Sequence, residues 1–248
     1  DEAIHFKEIV HKPCIWMDHD KKHVTVVGLP FSENENSNFE ISNNVCWVQN
    51  REGDIVHRIP VNHYGLIGDY SNGLVACRNV DAISFSIFED PMLRTRLDTL
   101  YHYDAVKNII TPCFTIDYVV SENQSACTVL YETSRSYWAQ VTLYPNNLSS
   151  SVSSVRLPAF NVCVSKKDGN VRRIDRFTDS LLGLSYPYLV MQNGYVCISY
   201  EPLELMDALD KVLTQTDLEP DVRKRATDLR NSLHENDNDI LIIGKLKQ

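Results

Sequence analysis

The chain has 248 residues, with 24 Lys plus Arg against 33 Asp plus Glu, a net charge of −9 at pH 7. Apolar residues make up 43% and charged residues 23%, a globular balance that excludes a disordered or collagen-like chain. No apolar run approaches the ~20 residues that a membrane-spanning helix needs, and the acidic balance speaks against nucleic acid as a partner.

Residues 1–10 lack the basic start and apolar run of a secretory leader, and the first residue is Asp1, so the chain reads as processed or cut. Residues 14–17 and 24–27 read as strands. Between them lie Asp18, His19, Asp20, Lys21, Lys22 and His23. With His11, the two histidines and two aspartates here are donor types for a metal, but the Lys pair fits a solvated charged turn better. Residues 32–38 contain only Ser, Glu and Asn and read as a surface loop. Runs at 45–49 and 54–59 flank Asn50-Arg51-Glu52-Gly53, which predicts a hairpin. Runs at 74–78 and 82–88 follow, then 99–103 and 109–116, then 127–132 and 137–144 about a turn at 133–136. Residues 146–154, rich in Asn and Ser, read as a loop. Residues 188–192 and 195–200 enclose Asn193-Gly194, a pair that tolerates positive φ.

Two of these hairpins echo one another. Ile55 follows Trp47 by eight residues, Ile109 follows Tyr101 by eight, and the two units lie 54 residues apart. A repeat of short antiparallel strands at about 40–50 residues is the footprint of a propeller blade.

After Glu201 the periodicity changes. Pro202 suits the first turn of a helix, because its missing N–H needs no partner there. Leu203, Met206, Leu209 and Leu213 then form one apolar stripe. A second helix runs from about residue 220 to about 234, with Val222, Ala226, Leu229 and Leu233 on one face. Residues 239–245 read as a final strand whose Ile240-Leu241-Ile242-Ile243 run implies burial on both faces. The tail is thus a two-helix insertion, 201–236, before the last strand.

Seven cysteines stand at 14, 46, 77, 113, 127, 163 and 197, and no two are closer than fourteen residues. No Cys-x-x-Cys pair exists, so neither a zinc knuckle nor a thioredoxin motif is present. Most lie in apolar strand-like runs, where free cysteine acts as a small buried hydrophobe.

The tail from His234 to Lys247, His-Glu-Asn-Asp-Asn-Asp-Ile-Leu-Ile-Ile-Gly-Lys-Leu-Lys, resembles the C-terminal signature of the six-bladed β-propeller lipoproteins of gut Bacteroidetes, roughly E-[ND]-D-N-P-V-L-x-x-x-K-L-K. Asp239 stands where the family usually has Pro. Asp98-Thr99-Leu100-Tyr101 with Ile110-Thr111-Pro112-Cys113-Phe114-Thr115-Ile116-Asp117 is similar to its D-T-I-Y hairpin. Asp179 with Gly183-Leu184-Ser185-Tyr186-Pro187 is similar to its D-D-x-x-x-G-L-P-F-x-P segment. The resemblance covers residues 98–248. It implies an all-β fold, a β-propeller of the six-bladed type, incomplete in this chain, since at about 45–54 residues per blade the length suffices for about five. Residues 1–248 are then one propeller domain or its C-terminal fragment. The resemblance also implies a cell-envelope location, periplasmic or at the outer-membrane surface, with a lipid anchor on an N-terminal segment outside this sequence.

No motif here is specific for catalysis. There is no Gly-rich phosphate loop, Gly-x-Ser-x-Gly or His-Glu-x-x-His. No catalytic residue, metal ligand or cofactor is assigned. Asp175 and Asp179 lie near Arg172, Arg173 and Arg176. As a glycosidase pair they would need about 5–9.5 Å between carboxyls, and exposed loop ion pairs are the simpler reading. Asp179 is the better candidate because it lies in the family-like segment. Tyr186, Tyr188 and Trp138, with Tyr137, are candidates for stacking on sugar rings or a peptide, although strand aromatics more often pack in cores. The basic residues of the second helix, Arg223, Lys224, Arg225 and Arg230, read as a solvated face.

The expectation is a non-enzymatic cell-envelope binding or scaffold module for a glycan, peptide or protein partner, with Asp179, Tyr186, Tyr188 and Trp138 binding ligand. The alternatives are a polysaccharide-acting hydrolase or lyase on a propeller scaffold, and a structural subunit of a surface complex. Fold analogy carries all three.

Overall fold

The computed structural model describes residues 3–18, 20–29, 40–41, 43–60, 73–77, 83–88, 97–117, 124–145, 159–189, 191–192 and 194–245. The loops expected at 32–38 and 146–154, and Asn193 of the Asn-Gly turn, lie outside them. The chain opens with β1 (Glu8–Ile9), β2 (His11–Met17), β3 (His23–Leu29), β4 (Glu40–Ile41), β5 (Asn44–Asn50) and β6 (Ile55–Pro60). β2, β3, β5 and β6 form a four-stranded antiparallel sheet in that order, and β1 pairs with β4 in parallel over two residues. A second four-stranded sheet follows from β7 (Gly73–Cys77), β8 (Ile83–Phe88), β9 (Thr99–Asp104) and β10 (Ile109–Thr115). A third comes from β11 (Gln124–Glu132), β12 (Ser136–Pro145), β13 (Ala159–Ser165) and β14 (Val171–Ile174). Both are simple up-and-down meanders.

The predicted hairpins are therefore present, and the 54-residue echo has a structural meaning. β5–β6 and β9–β10 are the third and fourth strands of their sheets. The third sheet repeats the step, with Val171 opening β14 eight residues after Cys163. β13 and β14 were not legible in advance. β14 is Val-Arg-Arg-Ile and almost wholly exposed, so it shows no apolar alternation.

The sheets stack face to face in series. Trp16, Val27, Cys46 and Val48 of the first sheet meet Ile83, Phe85, Ile87 and Tyr103 of the second. Leu100, Cys113 and Phe114 of the second meet Ala126, Leu130, Ala139 and Val141 of the third. Period-two alternation makes this possible, because successive side chains point to opposite faces. Tyr101 and Tyr103 thus serve one seam, while Leu100 and His102 serve the next. The Ser86 hydroxyl accepts from the Leu130 N–H at 3.2 Å, which satisfies a backbone donor of β11 across the seam. The outer face of the first sheet is covered by the N-terminal segment, where Ile4 and Val10 pack on Val24, Val26 and Trp47. The first strands come together, with β7 beside β2 and β11.

After the third sheet come a two-residue hairpin, β15 (Phe177–Thr178) with β16 (Ser185–Tyr186), then β17 (Met191–Gln192) and β18 (Tyr195–Tyr200). β17 also lies beside β7. The helices α1 (Pro202–Leu213) and α2 (Pro220–Ser232) precede β19 (Ile240–Lys245), which pairs with β18 from Tyr195↔Lys245 to Tyr200↔Ile240. The two-helix insertion and the return of the last strand into a sheet match expectation.

Two details of the tail differ. The buried stripe of α1 is Pro202, Leu205, Leu209 and Val212, and Leu203 is exposed. Pro202 is itself buried at the first position, which sets the phase of the helix. β19 is covered on one face only. Ile240 and Ile242 join the core, whereas Leu241 is 59% and Ile243 64% exposed. Cys197, opposite Ile243, is exposed with them, while Cys46 is buried and Cys14, Cys113 and Cys163 are half-buried. All five are free thiols.

The helices pack on Leu182, Leu184, Tyr186 and Tyr131. Gly183 sits at that contact with φ +73°. A Cβ there would lie 3.0 Å from the Leu218 Cδ1 and 3.3 Å from Val212 and Val222. Gly169 has φ +70° with no atom within 4 Å of its Cβ position. Gly169→Ala is expected to cost about 1 kcal/mol through backbone strain alone, and Gly183→Ala about 2–3 kcal/mol because crowding adds to it. Urea denaturation of the two variants checks the difference.

Candidate functional site

Several polar side chains converge at one end of the seam between the second and third sheets. Ala126, Thr128, Leu130 and Glu132 alternate onto the same face of β11, so the strand that supplies apolar Leu130 also delivers the Glu132 side chain into the seam. Glu132 is only 1% exposed. Such a carboxylate is tolerated only if paired and hydrogen-bonded. Its Oε2 lies 2.6 Å from the His102 Nε2, and its Oε1 accepts from the Lys166 Nζ at 2.5 Å. His102 comes from β9, and Lys166 follows the end of β13.

Cys113 completes the group. The register of β9 with β10 shifts between Pro112 and Phe114, leaving Cys113 as the extra residue of a β-bulge. A bulge re-aims side chains. Here Cys113 and Phe114, although consecutive, both reach the same seam. The Cys113 Sγ donates to the Leu100 carbonyl at 3.3 Å, so the sulfur is left to accept from the His102 ring. Phe114 stacks on Tyr137 at 4.5 Å, and the Lys166 ammonium sits 4.7 Å from the centre of the Tyr137 ring.

The charge states follow from these contacts. Hydrogen bonds that the His102 ring donates to Cys113 and Glu132 push its pKa up to about 9, against the opposing effect of burial, so the imidazole is a cation at neutral pH. Burial raises the Glu132 pKa, but the bonds from His102 and Lys166 outweigh it and hold the carboxyl below its ordinary value. The Tyr137 phenol is raised by burial and by the nearby Cys113 and Glu132. His102, Cys113 and Glu132 also form the one metal-competent trio among the described residues, with donor atoms all within 4.8 Å of one another. The sequence reading missed it. Its members lie on three strands with no ligand spacing, and the available signal was Glu132 two residues beyond Leu130 on an inward face.

The same end of the third sheet carries a cleft of about 790 Å³ between the β11–β12 turn and the β13–β14 turn. Arg135, Lys166, Lys167 and Arg172 line it with the Ser165 hydroxyl, and Asp168 is its one acidic residue. Lys166 thus belongs to both the cleft and the buried group. Arg135, Lys167 and Arg172 have no carboxylate partner among the described residues. A smaller cleft of about 500 Å³ lies at the corresponding turns of the first sheet, lined by Lys21, Lys22, His23 and Arg51.

The residues singled out in the sequence fall elsewhere. Asp179 organises a turn. Its Oδ1 accepts from the N–H groups of Leu181 and Leu182 at 2.8 and 2.6 Å, and its Oδ2 from the Leu184 N–H at 2.9 Å and the Tyr186 hydroxyl at 3.2 Å. Gly183 and Tyr186 are part of that turn, which gives the family-like segment a local structural job. Tyr186 is buried, Tyr188 is exposed, and Trp138 is half-buried with its ring 5.9 Å from Phe177. The structure joins Asp179 to Tyr186, places Trp138 in the same core, and leaves Tyr188 apart on the surface. Asp175 pairs with Arg173 at 2.8 Å in solvent. The segment around Asp20 is a charged turn, with the Asp20 carboxylate accepting from the N–H groups of Lys22 and His23. His19 lies outside the described residues.

Comparison with protein-family models, curated proteins and solved structures found no match to this chain.

Glu132→Gln removes the charge that two cations share at a nearly buried position. Unfolding in urea is expected to show a loss of about 3 kcal/mol. The pH dependence has a definite sign. His102 has a folded pKa raised above its ordinary 6.5, so its contribution is complete below pH 6.5 and is lost as pH rises through about 9. In reductant and chelator, wild-type stability should fall across that window, and His102→Gln should abolish that part of the slope.

Proposed function

We propose that the chain is a β-propeller-type binding module of the cell envelope, and that it takes an acidic glycan in the basic cleft of the third sheet. The observation that carries the ligand is the contrast in charge. A protein of net charge −9 gathers Arg135, Lys166, Lys167 and Arg172 around one concavity with a single acidic neighbour. Such a local field raises the concentration of an anion at the cleft even where the net charge repels it. Its volume lies within the range of about 300–1,000 Å³ that small-ligand sites occupy. Arg135 and Arg172 offer the planar donor fork that suits carboxylate and sulfate groups.

The propeller reading rests on the meanders. Three four-stranded antiparallel sheets follow one another in the chain and stack in series, and β7 lies against the first strands on either side and against β17. A propeller sets four-stranded sheets of this kind around a central channel. The envelope location rests on the resemblance of the tail and of the two inner segments. The hydrolase or lyase alternative gains nothing from Asp179, whose two carboxylate oxygens are occupied by four donors within its own turn.

Calorimetric titration with a uronic-acid or sulfated oligosaccharide and with its neutral counterpart tests the ligand. Only the acidic form is expected to bind. The affinity should fall several-fold between about 50 and 300 mM salt, and Arg135→Ala with Lys167→Ala should remove it while leaving the fold intact by circular dichroism. Equal binding of the neutral sugar, or no binding of any acidic one, would overturn the assignment.

A further inference from the structure

The geometry points to a metal site at the seam, in which the His102 imidazole, the Cys113 thiolate and the Glu132 carboxylate hold one divalent ion of the zinc type. This inference does not rest on the acidic-glycan reading, although Lys166 belongs to both places.

Three donors from β9, β10 and β11 already face a common point. Their atoms lie within 4.8 Å of one another. The His102 Nε2 and the Glu132 Oε2 stand 2.6 Å apart, so an ion with bonds of about 2.0–2.3 Å would take the place of their shared proton and part them by roughly 1 Å. That is within the reach of side-chain torsions. The set of sulfur, imidazole nitrogen and carboxylate oxygen suits zinc or cobalt rather than calcium or magnesium.

Two features of the surroundings orient the donors. The bulge at Cys113 turns its sulfur toward the seam, where regular pairing would have sent alternate residues to opposite faces. Lys166 holds the Glu132 Oε1, so the Oε2 is the atom presented to the centre. Outer-shell partners of this kind fix the ligating oxygen of a carboxylate. The Tyr137 ring flanks Lys166 on the other side.

Binding leaves the charge of the group unchanged. The metal-free group holds the Lys166 ammonium, the His102 imidazolium, the Cys113 thiol and the Glu132 carboxylate, a formal +1. On binding, the aqua ion gives up water ligands, the His102 N–H and the Cys113 S–H leave as two protons, and the dipositive metal takes their place. The sum stays +1, with Lys166, Glu132 and the neutral Tyr137 phenol unchanged. The buried carboxylate is never left without a cation. His102 and Cys113 are half-exposed, so an ion can enter from solvent and keep a water as its fourth ligand.

The test is cobalt titration of reduced, chelator-stripped protein, read by absorption. One Co2+ per chain is expected, with a near-ultraviolet thiolate-to-cobalt band that added Zn2+ removes. Cys113→Ser should abolish the band. His102→Gln should weaken binding by about 100-fold, and Cys197→Ser, at an exposed thiol, should change nothing. Zn2+ should raise the melting temperature of the wild type and leave that of Cys113→Ser unmoved, a readout that does not depend on the colour. Absence of the band, or its survival in folded Cys113→Ser protein, would overturn the site.

Discussion

A sheet whose two faces both carry apolar side chains must be covered twice, and that demand organises this molecule. β8 offers Ile83, Phe85 and Ile87 to one side, while Leu100 and Phe114 of the same sheet look to the other. β11 and β12 do likewise, with Leu130 and Ala139 on one face and Tyr131 and Trp138 on the other. A two-layer sandwich covers each sheet only once. Stacking in series covers the interior sheets twice and leaves the problem to the ends. At the first sheet the N-terminal segment answers it, with Ile4 and Val10 over Trp47. The Gln49 side chain ties that segment down by donating to the His5 carbonyl at 2.7 Å while accepting from the Trp47 indole at 2.9 Å. At the last sheet the two helices cover the inner face.

The seam between the second and third sheets is apolar along its length and ionic at one end. That arrangement is costly, because a carboxylate at 1% exposure loses its water. Lys166 and His102 offset the loss, and each keeps part of its own hydration by lying nearer the surface. The result ties three elements at a place where a hydrophobic contact would only have joined two. β9, β11 and the β13–β14 turn are held in one register relative to one another, since a slip of one residue in β11 would send Glu132 to the opposite face. The turn that Lys166 fixes is the one that carries Lys167 and Asp168 into the cleft.

Much of the architecture was legible because it rests on local patterns. The hairpins at 50–53 and 133–136 were visible from turn residues between β-rich runs, and the helices from apolar spacing. What was not legible depends on neighbours distant in sequence. Leu241 and Ile243 belong to an unbroken apolar run, yet the pleat alone sends them outward with Cys197 while Ile240 and Ile242 go in. Asp179 looked like a ligand residue because it is an acid in a family-like segment, and nothing in its neighbours' identities announced that four donors would converge on it. His102, Cys113, Glu132 and Lys166 span 65 positions and share no motif. A bulge and a strand face bring them together, and neither is written in spacing.

Lys166 sets a limit on how the buried group and the cleft act together. Its ammonium is committed to the Glu132 Oε1 and lies over Tyr137, so an anion in the cleft meets a charge that is already partly neutralised. Arg135, Lys167 and Arg172 must then supply most of the attraction. The converse also holds. An anion drawn strongly to Lys166 competes with Glu132 for it, and any loosening of that bond returns the cost of burial to the carboxylate. His102, or a metal ion in place of its proton, is the remaining cation able to meet that cost. The two sites are therefore coupled through one side chain. A cleft ligand should sense the state of the seam in proportion to how closely it approaches Lys166, and a ligand seated toward Arg135 and Arg172 should sense it least.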